Sequence, residues 1–105
     1  LGGRPVTLAL RWSNAARRDL LDIWAWRGRE RPELGDRALD RIHAACERLT
    51  RFPKLGPAFS RMAPEARKLT VERYLAFYRI DPDAIVIVRV VDQRRLLDAV
   101  KFEDD

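Results

Sequence analysis

Three features of the 105-residue chain predict an α+β fold, with an antiparallel helical hairpin packed on one face of a small, mainly antiparallel sheet. The first half repeats its apolar residues at helical spacing, in two stretches joined by a short connection. The second half holds three strand-like stretches joined by tight turns. Between them lies LTRFPKLGPAFS (residues 49–60), where two prolines bracket a Lys-Leu-Gly turn and the helical pattern stops. The element order is β-α-α-β-β-β. A chain this long buries one core and has no room for a second, so residues 1–105 read as a single domain.

The elements follow in order. In RPVTLALRW, Val6, Leu8 and Leu10 fall on one side and Thr7, Ala9 and Arg11 on the other, which is a short strand. Ser13 or Asn14 then offers a side-chain oxygen to the first free amides of a helix. Ala16, Leu20, Ile23, Trp24 and Arg27 make the helical stripe of AARRDLLDIWAWRGRERPE. Gly28 and Pro32 mark its end, with a turn through Glu33, Leu34 and Gly35. A second helix is expected from Asp36 to Arg51, with Ala38, Ile42, Ala45 and Leu49 as its stripe. The short connection makes the two helices antiparallel neighbours. Proline at position 53 ends the second, because it drives Phe52 out of helical geometry. RKLTVERY alternates, with Leu69 and Val71 on one side. YLAFYRI and AIVIVRVVD are apolar on both sides, and the DPD between them is a reversal in which Pro82 supplies a fixed φ. The tail after Asp92 admits either a short helix or a last extension of the strand.

Composition narrows the class. Hydrophobic residues make up 47% and charged residues 35%, the profile of a globular chain. No apolar run approaches the roughly 20 residues that span a bilayer, so no membrane role is expected. Leu1–Val6 lack the charged-then-apolar layout of a signal peptide. One cysteine, Cys46, cannot form an intramolecular disulfide and fits a reducing cytosol. The net charge of +5 admits nucleic acid or an acidic partner. Only Lys54, Lys68 and Lys101 of the 21 basic residues are lysines, however, and the arginines are interleaved with 16 acids, so charge alone selects no partner.

The two apolar-on-both-faces strands carry the main expectation. A helical hairpin covers one face of a sheet and not the other. Apolar residues on the second face therefore imply a covering partner, or a tail that folds back over them. Catalytic and metal chemistry find little support. His43 sits at the edge of a helical stripe, as a packing or surface residue does. One His and one Cys do not make a zinc site. Cys46 reads as core, and no Gly-rich phosphate loop is present. Trp24 and Trp26 lie about 200° apart around a helix, so one of them is exposed.

In order and spacing, ARRDLLDIWAW, ALDRIHAACERLTRFPKLGP, ARKLTVERYLAFYRID and IVIVRVVDQRR resemble the ParE branch of the RelE/ParE toxin superfamily, from about Leu8 to Arg95. The most specific pieces are the L-x-x-FP-x-LG corner at Leu49 to Gly56, and the Arg67 plus Y-L-x-x-Y-R of Tyr74 to Arg79. The resemblance implies the toxin of a type II toxin–antitoxin pair, in the cytoplasm, without a cofactor. Its partner would be a ParD-like antitoxin, in a heterotetramer or larger assembly, with operator DNA touched only through the antitoxin. The antitoxin would meet the hairpin around Arg17, Leu21, Trp24 and Arg41, and an open sheet face around Leu75, Phe77 and Ile87. ParE-like members act on DNA gyrase, and RelE-like members cut messenger RNA on the ribosome. RelE-like sequences place an Arg after the aromatic that starts the third strand and a Tyr or His near the C-terminus. Here Leu75 follows Tyr74, and no Tyr or His follows Val91. Gyrase inhibition without an enzymatic step is thus the expectation, with no catalytic residue, and Arg67, Arg94, Arg95 and Lys101 are candidate target contacts. A ribonuclease, or a non-toxic member that keeps its antitoxin surface, is the alternative.

Overall fold

The computed structural model describes residues 7–93 and residue 102. Strand β1 (Ala9–Trp12) leads into helices α1 (Asn14–Arg27) and α2 (Pro32–Glu47), and a 3₁₀ turn (Arg48–Thr50) follows. Strands β2 (Arg67–Val71), β3 (Tyr74–Ile80) and β4 (Ala84–Asp92) then complete the sheet. The order across it is β1-β4-β3-β2. β2–β3 and β3–β4 are antiparallel, while β1 runs parallel to β4, which requires the crossover that the hairpin provides.

Local chemistry explains the helix ends. The Ser13 hydroxyl accepts from the Ala16 amide at 2.9 Å and donates to the Val88 carbonyl at 2.7 Å, so one side chain caps α1 and ties it to β4. The connection differs from the expected turn through Glu33–Gly35. Pro32 occupies the first turn of α2, a position where its missing N–H costs nothing and its fixed φ suits the helix. Gly35 consequently lies inside α2. A Cβ there would stand 2.5 Å from the Trp24 carbonyl oxygen, so glycine is what lets the two helices approach so closely. β1 is shorter than the expected strand, and the expected Val6 lies outside the described residues.

The helix-side core packs Ala16, Ile23, Ala38, Ile42 and Leu49 against Tyr74, Ala76, Tyr78, Ile85, Ile87 and Val90. Cys46 is part of it, and burial pushes its thiol up to about 12. The thiol should therefore resist alkylation in the native chain and react at the rate of unfolding. The unfolded thiol ionises from about pH 9.0 while the native one keeps its proton. Stability should accordingly fall as pH rises from there towards about 12, as a urea-midpoint series against pH would show.

The far face of the sheet corrects an expectation. Leu75 and Phe77 are 6% and 0% exposed, not open, because Phe59, Met62 and Phe102 lie over them and over Val91. Phe102 also covers Val86 and Val88. Phe59, from the proline-bracketed stretch, packs on Phe77 with ring centroids 5.5 Å apart, and Ala58 beside it forms a bridge with Arg67. Ile87 sits on the opposite, helix-facing side. Its placement depends on strand register. A bulge between Phe77 and Tyr78 sets Phe77 opposite Arg89 and Tyr78 opposite Ile87, an irregularity that alternation does not reveal.

Two polar constructions hold these layers. Asp19, buried in α1, accepts from Arg89 Nε at 2.8 Å, Arg89 Nη2 at 2.9 Å and the Val90 amide at 2.9 Å. At the proline corner, the fully buried Tyr78 hydroxyl donates to the Pro53 carbonyl at 2.6 Å and accepts from the Gly56 amide at 3.0 Å. Arg67 Nε donates to the Gly56 carbonyl at 2.7 Å. The FP-x-LG corner, Arg67 and the second tyrosine of Y-L-x-x-Y-R are thus parts of one latch.

Candidate functional site at the helical hairpin

Of the large apolar side chains left exposed among the described residues, Leu21, Trp24 and Trp26 lie on α1, and Phe52, Leu55 and Ile80 lie elsewhere; the outer face of α1 gathers two of them. Helical spacing aligns Arg17, Leu21 and Trp24 on it, and Leu21 and Trp24 are 63% and 45% exposed. Trp24 is nonetheless fixed, since its indole N–H donates to Asp36 Oδ1 at 2.9 Å and Gly35 lies against it. Trp26 is 59% exposed, with the Arg29 guanidinium 4.8 Å from its ring centroid. Rigid aromatic groups held at a surface lose little entropy on binding, which suits them to a contact face.

The same hairpin has an open end above the β2–β3 turn. Glu72 there takes φ 56°, the left-handed region that costs a non-glycine residue about 1 kcal/mol. Three contacts hold the turn. Gln93 Nε2 donates to the Glu72 carbonyl at 3.1 Å, the Gln93 amide donates to the Arg73 carbonyl at 2.9 Å, and Arg41 Nη1 pairs with Glu72 Oε2 at 3.0 Å. Arg73 pairs with Asp92 at 2.7 Å. Two clefts flank this end. One, of about 260 Å³, runs along Ile23, Trp26 and Val90. The other, of about 220 Å³, runs along Leu34, Arg37, Ala38 and Val71. Arg27, Arg73 and Tyr74 line both. Burial raises the Tyr74 hydroxyl above the ordinary tyrosine range, against the opposing pull of the Arg27 and Arg73 charges.

Of the residues expected to meet a partner, the fold brings Arg17, Leu21 and Trp24 together on α1. Arg41 stands apart, at the open end of the hairpin on Glu72. Leu75, Phe77 and Ile87 are buried and do not join them. Arg67 is turned into the proline corner, where it also reaches the Lys54 carbonyl at 3.4 Å. Arg94, Arg95 and Lys101 lie outside the described residues. His43 is exposed and stacks on Trp12, centroids 5.7 Å apart, as the expected packing or surface residue. Among the described residues no group of three His, Cys, Asp or Glu side chains could hold a metal ion, and no helix is long and apolar enough to cross a membrane. Arg27, Arg37 and the Tyr74 hydroxyl were not singled out by the sequence. The one available signal was an arginine inside the apolar stripe of the first helix.

The architecture is that of the RelE/ParE-like toxins. It matches a chain of the "Chromosomal ParDE TA system from P. aeruginosa" with TM-score 0.72 and 25% identity, over 82% of this chain and 96% of that one. It also matches a chain of the toxin–antitoxin complex RelBE2 from Mycobacterium tuberculosis with TM-score 0.62 and 24% identity, over 85% and 94%. Residues 10–97 match the family described as "ParE toxin of type II toxin-antitoxin system, parDE", and the chain belongs to that family. Two curated relatives come from Caulobacter vibrioides. "Toxin RelE3" is 37% identical over 71% of this chain and 83% of its own length. "Toxin ParE3" is 36% identical over 58% of this chain and 61% of its own length.

Proposed function

We propose that this type II toxin acts by binding, with DNA gyrase as its target and with no bond made or broken by its own residues. A ParD-like antitoxin neutralises it by docking along the outer face of α1, in an assembly of two or more copies of each chain. The observation that carries the docking surface is the exposed Arg17, Leu21 and Trp24 row on a fold whose far sheet face is already covered by its own side chains. Membership of the ParE toxin family and the likeness to a chain of the P. aeruginosa ParDE system support an antitoxin partner.

Binding is favoured over RNA cleavage by how the candidate proton-transfer groups are used. Cleavage needs a general acid or base within hydrogen-bond reach of substrate. The Tyr78 hydroxyl is committed to the proline corner, His43 lies at the surface against Trp12, and burial holds the Tyr74 hydroxyl above the ordinary tyrosine range, which makes it a poor base near neutral pH. The position after Tyr74 holds the buried Leu75, which can neither donate a proton nor stabilise a phosphorane. The second reading, a ribosome-dependent endoribonuclease, draws on the identity to the toxin named RelE3. Expression of the chain alone should arrest growth with DNA-damage signalling and filamentation, and co-expression of its cognate antitoxin should restore growth. Arrest with loss of messenger RNA and no DNA damage would support the second reading instead.

A further inference from the structure

Four arginines, Arg27, Arg37, Arg41 and Arg73, line the clefts where the hairpin opens over the sheet, and two of them are spent within the fold. Arg41 pairs with Glu72 and Arg73 with Asp92. Arg27 and Arg37 have no acidic partner among the described residues. Arg27 Nε is buried and donates to nothing there, and the Tyr74 hydroxyl, in a residue only 4% exposed, is equally unused. Unmade hydrogen bonds of this kind are rare in folded chains, and each calls for an occupant. Both groups belong to residues that line the two clefts.

The occupant's chemistry follows from these groups. A buried guanidinium N–H requires an acceptor, and a charged acceptor makes the stronger bond. Apolar side chains stand beside it, Ile23, Trp26 and Val90 in one cleft and Leu34, Ala38 and Val71 in the other, which is otherwise lined by charged groups and Tyr74. Acids stand among the same linings: Asp19, Asp22 and Asp92 in one cleft, of which Asp19 is held by Arg89, and Glu72 in the other. They would repel a continuous polyanion such as a nucleic-acid backbone but tolerate a single carboxylate flanked by apolar groups. We propose that the open end of the hairpin is a carboxylate-binding site, in which Arg27, Arg37 and the Tyr74 hydroxyl receive one acidic side chain of an antitoxin segment whose apolar neighbours line the clefts. This rests on the reading that an antitoxin binds the chain. It adds a second anchor, distinct from the Leu21 and Trp24 face.

Two probes test it separately. In the first, the Arg27 Nε–H resonance of the ¹⁵N-labelled full chain is followed during addition of Ac-Glu-Leu-NH₂ or Ac-Gln-Leu-NH₂ at millimolar concentration. The glutamate peptide should shift it and the glutamine peptide should not. In the second, the cognate ParD-like antitoxin is titrated against the wild-type chain, the Arg27→Gln/Arg37→Gln double variant and Tyr74→Phe. The double variant should bind about thirtyfold or more weakly, and Tyr74→Phe about tenfold more weakly. Tyr74→Phe should at the same time keep or raise the melting temperature of the free chain, since it deletes an unsatisfied buried hydroxyl, so lost binding is not lost folding. Equal shifts from both peptides, or an antitoxin complex indifferent to these variants, would overturn the site. A fluorescein-labelled single-stranded oligonucleotide bound by the wild type and lost in the double variant would overturn it in favour of phosphate. A glutamate-specific shift with no antitoxin complex would uphold the site and defeat the antitoxin reading instead.

Discussion

Asp19→Ala is expected to destabilise the isolated chain by about 3–5 kcal/mol, the cost of breaking a buried ion pair from one side. The carboxylate accepts three hydrogen bonds, two from Arg89 and one from the Val90 amide, and it joins the middle of α1 to β4 across 70 residues of sequence. The substitution withdraws that carboxylate from a guanidinium whose side chain is 22% exposed, and it leaves the Val90 amide unsatisfied inside the core. Small domains hold only about 5–15 kcal/mol in total, so much of the folded margin should go. Urea unfolding of the purified chain measures it, and a midpoint within experimental scatter of wild type would show that the pair contributes nothing net. Asp19→Asn keeps an acceptor for the Val90 amide and should fall between the two.

The second large effect is expected at the proline corner. A Cβ on Gly56 would lie 2.7 Å from the Lys68 carbonyl oxygen and 2.9 Å from Tyr78 Cε1. Neither neighbour yields cheaply. Lys68 is in β2 and its amide donates to the Pro57 carbonyl at 3.0 Å, while the Tyr78 ring is fully buried. Nor can Gly56 retreat, because its amide and its carbonyl are both held, by Tyr78 and Arg67. Gly56→Ala should therefore cost about 2–4 kcal/mol through overpacking. Tyr78→Phe, which removes only the hydroxyl, should cost about 1–3 kcal/mol by leaving the Gly56 amide and the Pro53 carbonyl unpaired. Since both act on one latch, the double variant should cost less than the sum. Full additivity would mean that corner and ring are independent.

Those two sites also mark what the sequence could and could not disclose. Spacing within an element was readable: β3 and β4 have the expected bounds, Ser13 caps α1, and Leu69 and Val71 face the helices. Relations between distant elements were not. Nothing in the local pattern pairs Asp19 with Arg89, and an Asp among arginines on a helix reads as surface charge. Pro32 was ambiguous in a physical sense, since proline both ends helices and starts them. Only the packing of Gly35 on Trp24 decides for the start. The apolar character of the far sheet face was legible, and so was one of its covers, the tail, whose Phe102 packs over Leu75, Phe77 and Val91; the other cover was not. Phe59 and Met62 lie in a segment without periodicity, so their reach over Leu75 and Phe77 depends on the path fixed by the corner. For the candidate site, the exposed α1 row followed from helical geometry. The Arg27, Arg37 and Tyr74 groups come from three elements and meet only once the hairpin is laid on the sheet.

That the far face covers itself moves the expected antitoxin contacts to the hairpin. The proposed action is occupation of the target. The direct test is to add the purified chain, with and without its cognate antitoxin, to DNA gyrase on relaxed plasmid and, in parallel, to translating ribosomes. Loss of supercoiling that the antitoxin reverses, with messenger RNA intact, is the predicted result. Site-specific cleavage of ribosome-bound messenger RNA with gyrase unaffected would contradict it.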